Sequence, residues 1–139
     1  MTAAAAGEGG GRLVLNVRGG FRIVVPPDIG AISTYTFLEQ EDWFEDEAEL
    51  VRRIARPGFR MLDIGANVGF YALAAAAASG GDVRIDAFEP TPEVAALLRA
   101  SVAANGFAGI AVHEHALGER LEKRNQRPVT AGGLALAGA

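Results

Sequence analysis

Cysteine is absent from the 139 residues. Its absence removes disulfides, thiolate metal sites and cysteine nucleophiles together, and is compatible with a reducing cytoplasm. An excess of positive charge is also missing. The net charge is -4 and the isoelectric point is near 5.2, so the chain does not read as a binder of the nucleic-acid backbone. No apolar run is long enough to span a bilayer, because the alanine tract Ala74 to Ala78 is short and weakly apolar. Met1 to Ala6 carries neither a basic n-region nor a long h-region, so no signal peptide is expected. Hydrophobic residues make up 50%, a figure that alanine and glycine inflate. One cytoplasmic globular domain with a modest core is the expectation.

The most informative stretch runs from Arg60 to Ala72. An apolar run from Met61 to Ile64, broken only by Asp63, meets a turn with glycines at 65 and 69, and an alanine-rich helix former follows. That order reads as strand, tight loop, helix, the opening of a nucleotide-binding βαβ unit. Upstream, Thr2 to Gly11 reads as a flexible leader. Arg12 to Arg18 and Phe21 to Val25, with Gly19-Gly20 between them, predict a hairpin with a two-residue primed turn. Ile32 to Leu38 predicts a further short strand.

Seven of the eleven residues from Glu39 to Glu49 are acidic. A cation site is one reading; a solvated helix face with acids near its positive N-terminus is the favoured one. Asp42 and Glu45 have the spacing of a capping box, and Phe44, Ala48, Val51 and Ile54 recur as one buried helical face. Downstream, Val68 to Ser79 predicts a helix ended by Gly80-Gly81, and Val83 to Phe88 the second strand. A helix from Thr91 to Asn105 and a third strand from Ile110 to His115 follow. His113 and His115 alternate on that strand, which suggests metal ligands or a base. No third ligand accompanies them, so surface histidines are the favoured reading.

The central turn lacks what a phosphate cradle needs. A dinucleotide fingerprint started at Gly65 would require glycine where Asn67 and Phe70 stand, and no glycine-lysine pair makes a Walker loop. What remains is two glycines, a strand-end carboxylate at Asp63, an amide at Asn67 and a second strand-end acid, Glu89. S-adenosylmethionine, with an ammonium, a sulfonium, a carboxylate and no phosphate, suits that set. Glu89 would accept both ribose hydroxyls. In the blander alternative Asp63 caps the helix and Glu89 is a surface acid.

Leu62-Asp-Ile-Gly-Ala-Asn-Val-Gly69, Phe88-Glu-Pro-Thr-Pro-Glu93, Asn105-Gly106 and Ala116-Leu-Gly-Glu119 together resemble the FkbM family of S-adenosylmethionine-dependent methyltransferases. Trp43-Phe44-Glu45 and Arg56-Pro57-Gly58 resemble that family's lead-in, so the match covers roughly Asp42 to Glu119. The resemblance implies a partial α/β Rossmann-like three-layer fold: three parallel strands behind an N-terminal hairpin and helix. It implies O-methylation of a small-molecule or sugar hydroxyl. Asp63, Gly65, Ala66, Asn67 and Gly69 would line the methionine end, Glu89 the ribose and Ala116 the adenine, with Glu45 approaching the methionine moiety. No residue stands out as a catalytic base.

The match stops just past the third strand. The expected organisation is therefore a leader (1–11), a hairpin and helix (12–58), a cofactor half-domain (59–118) and a poorly structured tail (119–139). A non-catalytic fragment or interaction module that keeps the fold is the alternative function. The missing fourth strand would leave a strand edge open to self-association.

Overall fold

The computed structural model describes Ala4–Ala5 and residues 11–118. The expected tail and most of the expected leader lie outside the described residues. Ala4–Ala5 forms a short strand, β1, and pairs antiparallel with β2 (Leu13–Val17). Ladder bonds come from the backbone and need no particular side chain, so composition alone did not show this pairing.

β2 and β3 (Phe21–Val25) make the expected hairpin. Its loop has three residues rather than two, because Val17 pairs with Phe21 and the Gly20 N–H donates to the Val17 carbonyl at 3.2 Å. Gly19 and Gly20 both take the left-handed backbone (φ 103° and 84°) that the glycine pair was read for.

The expected strand at 32–38 is a helix, α1 (Ile32–Gln40). Its β-branched residues point the other way in propensity, but Ser33, Thr34, Thr36 and Phe37 become buried when the segment coils. The Thr34 hydroxyl also donates to the Pro26 carbonyl at 2.8 Å. Tertiary burial outweighs a preference of a few tenths of a kcal/mol per residue, roughly. α2 follows (Asp46–Ile54), with Glu45 at its N-cap position and no side-chain cap. Asp42 does not close a capping box; it pairs with Arg52 (Nη1–Oδ2 3.0 Å) and accepts the Trp43 N–H. The buried line of α2 runs through Ala48, Val51, Arg52 and Ala55, and faces α3. Phe44 and Ile54, expected on that line, stay exposed.

The second half is three parallel strands in the order β4 (Phe59–Ile64), β5 (Val83–Phe88), β6 (Ile110–His113). α3 (Phe70–Ala78) and α4 (Pro92–Asn105) are the two crossovers. Right-handed crossovers place both helices on one face. There they bury Met61, Asp63, Ile85, Ala87 and Ile110 to differing degrees. Ala72, Ala74, Ala75 and Ala76 let α3 press closely on the sheet. Leu62 and Ile64, on the opposite face, remain 64% and 62% exposed. Among the described residues no helix long and apolar enough to cross a membrane occurs.

The hairpin does not cover the outer edge of β4, which pairs only with β5 among the described residues. It lies instead against α4 and α3. Phe21, Phe37, Trp43 and Phe70 meet between the two halves, with ring centroids 5.4 to 6.1 Å apart along the cluster. Two polar side chains of α4 seal the free edge of β3. Ser101 Oγ accepts the Val24 N–H at 2.8 Å, and Asn105 Oδ1 accepts the Arg22 N–H at 2.8 Å. Ser101→Ala leaves a buried N–H without an acceptor and should cost about 1–3 kcal/mol in urea denaturation. A loss near zero would mean that the edge is satisfied some other way.

Candidate functional site

Three strand ends converge at the carboxyl edge of the parallel sheet, where ligands of this architecture sit. The backbone there is closely tied. The Gly65 and Ala66 N–H groups both donate to the Phe88 carbonyl at 2.9 Å, and the Glu89 N–H donates to the His113 carbonyl at 3.0 Å. Gly65, Asn67 and Gly69 all have positive φ (75°, 52° and 92°). The two glycines serve different ends. A Cβ on Gly65 would meet nothing within 4 Å, so the turn is open on that side. A Cβ on Gly69 would fall 2.0 Å from Leu98 Cδ1, so that glycine admits α4.

Glu89 is buried to 8% exposure beside this turn. Its Oε2 accepts the backbone N–H of Asn67 at 3.0 Å and its Oε1 accepts that of Thr91 at 2.9 Å. One carboxylate thus holds the glycine turn and the start of α4 together. Thr91 is the N-cap residue of α4 and Pro92 opens the helix, but the threonine side chain makes no cap bond. The Asn67 backbone, rather than its side-chain amide, is what meets Glu89.

Asp63 lies under α3, with its Oδ2 buried and without a hydrogen-bond partner. Burial pushes its carboxyl above the ordinary range, and the Ala72 backbone N–H partly offsets this. The fold therefore holds this proton more tightly than the unfolded chain does. Asp63 favours folding below its unfolded pKa, and that contribution is lost as pH rises through its folded pKa. Asp63→Asn should melt higher than wild type at neutral pH, with the gap closing as pH falls into the ordinary carboxyl range. A gap that widens toward acid would reverse the assignment.

Glu45 is brought to the first turn of α3, where the Tyr71 hydroxyl donates to its Oε2. That bond, followed by one from Trp43, lowers the Glu45 carboxyl. Burial, and then Glu45, raises the Tyr71 hydroxyl. The link of Tyr71 to a residue 26 positions away is a product of the fold. Ala116 lies half-buried in the segment beyond β6. The acidic stretch resolves into separate pairs: Asp42 with Arg52, Glu49 with Arg53 and Glu45 with Tyr71. The expected alternation of the histidines does not occur, because β6 ends at His113 and His115 lies past it. His113 Nε2 meets Asp86 Oδ1 at 2.7 Å, and its ring stacks on Phe88 at 4.7 Å.

No protein-family model matches the chain, and no curated protein matches it. Solved structures do. P. horikoshii TYW2 in complex with MeSAdo matches with a TM-score of 0.55 and 18% identity, over 78% of this chain and 37% of that one. The SAM-dependent methyltransferase from Agrobacterium tumefaciens gives 0.54 and 12%, over 79% and 34%. The complex of aTrm5 with tRNALeu gives 0.52 and 18%, over 77% and 29%. The fold is a partial Rossmann-like methyltransferase fold. The chain spans about a third of the length of these structures.

Proposed function

We propose that the carboxyl edge of the sheet binds S-adenosylmethionine in the manner of the FkbM family. The observation that carries this reading is Glu89, a buried carboxylate at the end of β5 that already accepts the Asn67 backbone N–H beside an open Gly65. Each of its oxygens accepts one backbone N–H, so lone pairs remain for the two ribose hydroxyls. The donor set fits the group at its other end as well. Asp63 Oδ2 is an orphaned acceptor at the end of β4, matched to a ligand that brings an ammonium, directly or through water. Gly65, Ala66, Asn67 and Gly69 line the methionine end, Ala116 the adenine, and Glu45 approaches the methionine moiety.

The bound sulfonium would supply an electrophilic methyl group. The chain's own part is to hold the donor in line with an acceptor oxygen, a contribution of proximity and alignment. The acceptor we favour is a small-molecule or glycan hydroxyl. One structure of this fold holds tRNALeu, which weighs for a nucleic-acid acceptor. The net charge of -4 weighs against it. A second reading, a non-catalytic module that keeps the fold, draws on the exposed second face of the sheet.

Calorimetric titration with S-adenosylhomocysteine separates the two. Saturable heat is expected from the folded chain. A flat titration, with circular dichroism showing native structure, would discard cofactor binding and leave the second reading.

A further inference from the structure

The exposed face of the parallel sheet has a distinct chemistry. Its register sets Arg60 beside Arg84, Leu62 beside Asp86 and Ala111, and Ile64 beside Phe88 and His113. Arg60, Leu62, Arg84 and Asp86 are among the residues that line a cavity of about 280 Å³ there. Like charges on neighbouring strands repel. Neither arginine has an ion pair among the described residues, and Asp86 is engaged by His113. Two such faces would not pack on each other, since four guanidiniums would be buried against two engaged carboxylates. The face calls for an apolar stripe with carboxylates at one end.

α2 has that pattern. Glu47, Leu50 and Ile54 stand three and four residues apart on one helical face. Leu50 and Ile54 are 56% and 46% exposed. Asp46 and Glu47 lie in the first turn and have no ion pair among the described residues. The lengths also agree. Glu47 to Ile54 spans about 10 Å of helix, and Arg60 to Ile64 about 13 Å of strand. Within one copy α2 is held against α3, on the other side of the sheet, so it does not reach its own exposed face.

We propose that α2 of one copy seats on the exposed sheet face of the next. Asp46 and Glu47 then meet Arg60 and Arg84, Leu50 covers Leu62, and Ile54 covers Ile64. The contact joins two different surfaces head to tail, so it builds a ring of more than two copies or an open chain rather than a two-fold dimer. It stands independently of the cofactor reading.

Sedimentation velocity on the full chain tests it. The weight-average mass should climb past that of a dimer as concentration rises, and fall when salt is added. Arg60→Glu/Arg84→Glu removes the face, Leu50→Asp/Ile54→Asp removes the apolar stripe of the helix, and each should sediment as a monomer. Mixed together, these two variants should form a heterodimer that grows no further. All four positions are exposed, and circular dichroism checks their folding; the salt series needs no variant at all. A constant monomer mass, a plateau at the dimer, or variants that assemble like wild type would each overturn the proposal.

Discussion

Gly69→Ala should cost about 2–5 kcal/mol, a large part of the roughly 5–15 kcal/mol that holds a typical domain together. Two penalties combine at this one site. The residue sits at φ 92°, where an L side chain is strained by about 1–2 kcal/mol. The new methyl would also lie 2.0 Å from Leu98 Cδ1, and Leu98 is fully buried in the core. Urea denaturation should show a lower midpoint at unchanged slope. Gly65→Ala is the control, because its φ of 75° brings the strain while its Cβ meets nothing within 4 Å. A second test follows from the same contact. In Gly69→Ala/Leu98→Ala the clash is gone, so the double variant should be more stable than the sum of the two single losses. Equal losses at Gly65 and Gly69, or plain additivity with Leu98, would show that α4 packing does not set the requirement.

Glu89→Ala should act twice. Without ligand it leaves the Asn67 and Thr91 N–H groups without their acceptor, which should cost about 1–3 kcal/mol of stability. On the proposed reading it also removes the carboxylate that would accept the ribose hydroxyls, and the affinity for S-adenosylhomocysteine should fall roughly a hundredfold, about 2.8 kcal/mol. Glu89→Gln separates the effects. Its amide keeps one acceptor oxygen but points an NH₂ at an N–H or a hydroxyl, so both losses should be intermediate. Calorimetry below the melting temperature of all three proteins reads the binding arm, and urea denaturation reads the other. A stability loss with unchanged affinity would make Glu89 a structural clasp only.

The parts of this fold legible in the sequence were those fixed by local chemistry. The strand at Val83 to Phe88 and the helix from Pro92 to Asn105 fall where patterning and the Gly106 stop put them. Gly65 and Gly69 announced the turn, although the distinct reason for Gly69 lies in Leu98, 29 residues further on. The segment 32–40 was misread because β-branched residues carry strand propensity, and its helix is bought by burial against the rest of the chain. Phe44 and Ile54 had the spacing of a core face, but spacing does not say which stripe of a helix meets a neighbour. Asp42 looked like a cap until Arg52, ten residues away, claimed it. At the site, the strand-end position of Glu89 was visible, while its grip on two backbone amides was not. Hydrogen bonds between distant loops leave no mark in a pattern read along the chain.

The seal on β3 bears on how the chain is made. Ser101 and Asn105 reach their backbone partners across 77 and 83 residues. During synthesis the hairpin therefore emerges with an open edge long before its cover exists. At about 5–20 residues per second, roughly 4–16 seconds pass before α4 leaves the ribosome. A bare β-strand edge in that interval is a template for pairing with other nascent chains. Slower translation through α3 and β5 should lower the yield of folded protein, and the window closes only when Asn105 arrives.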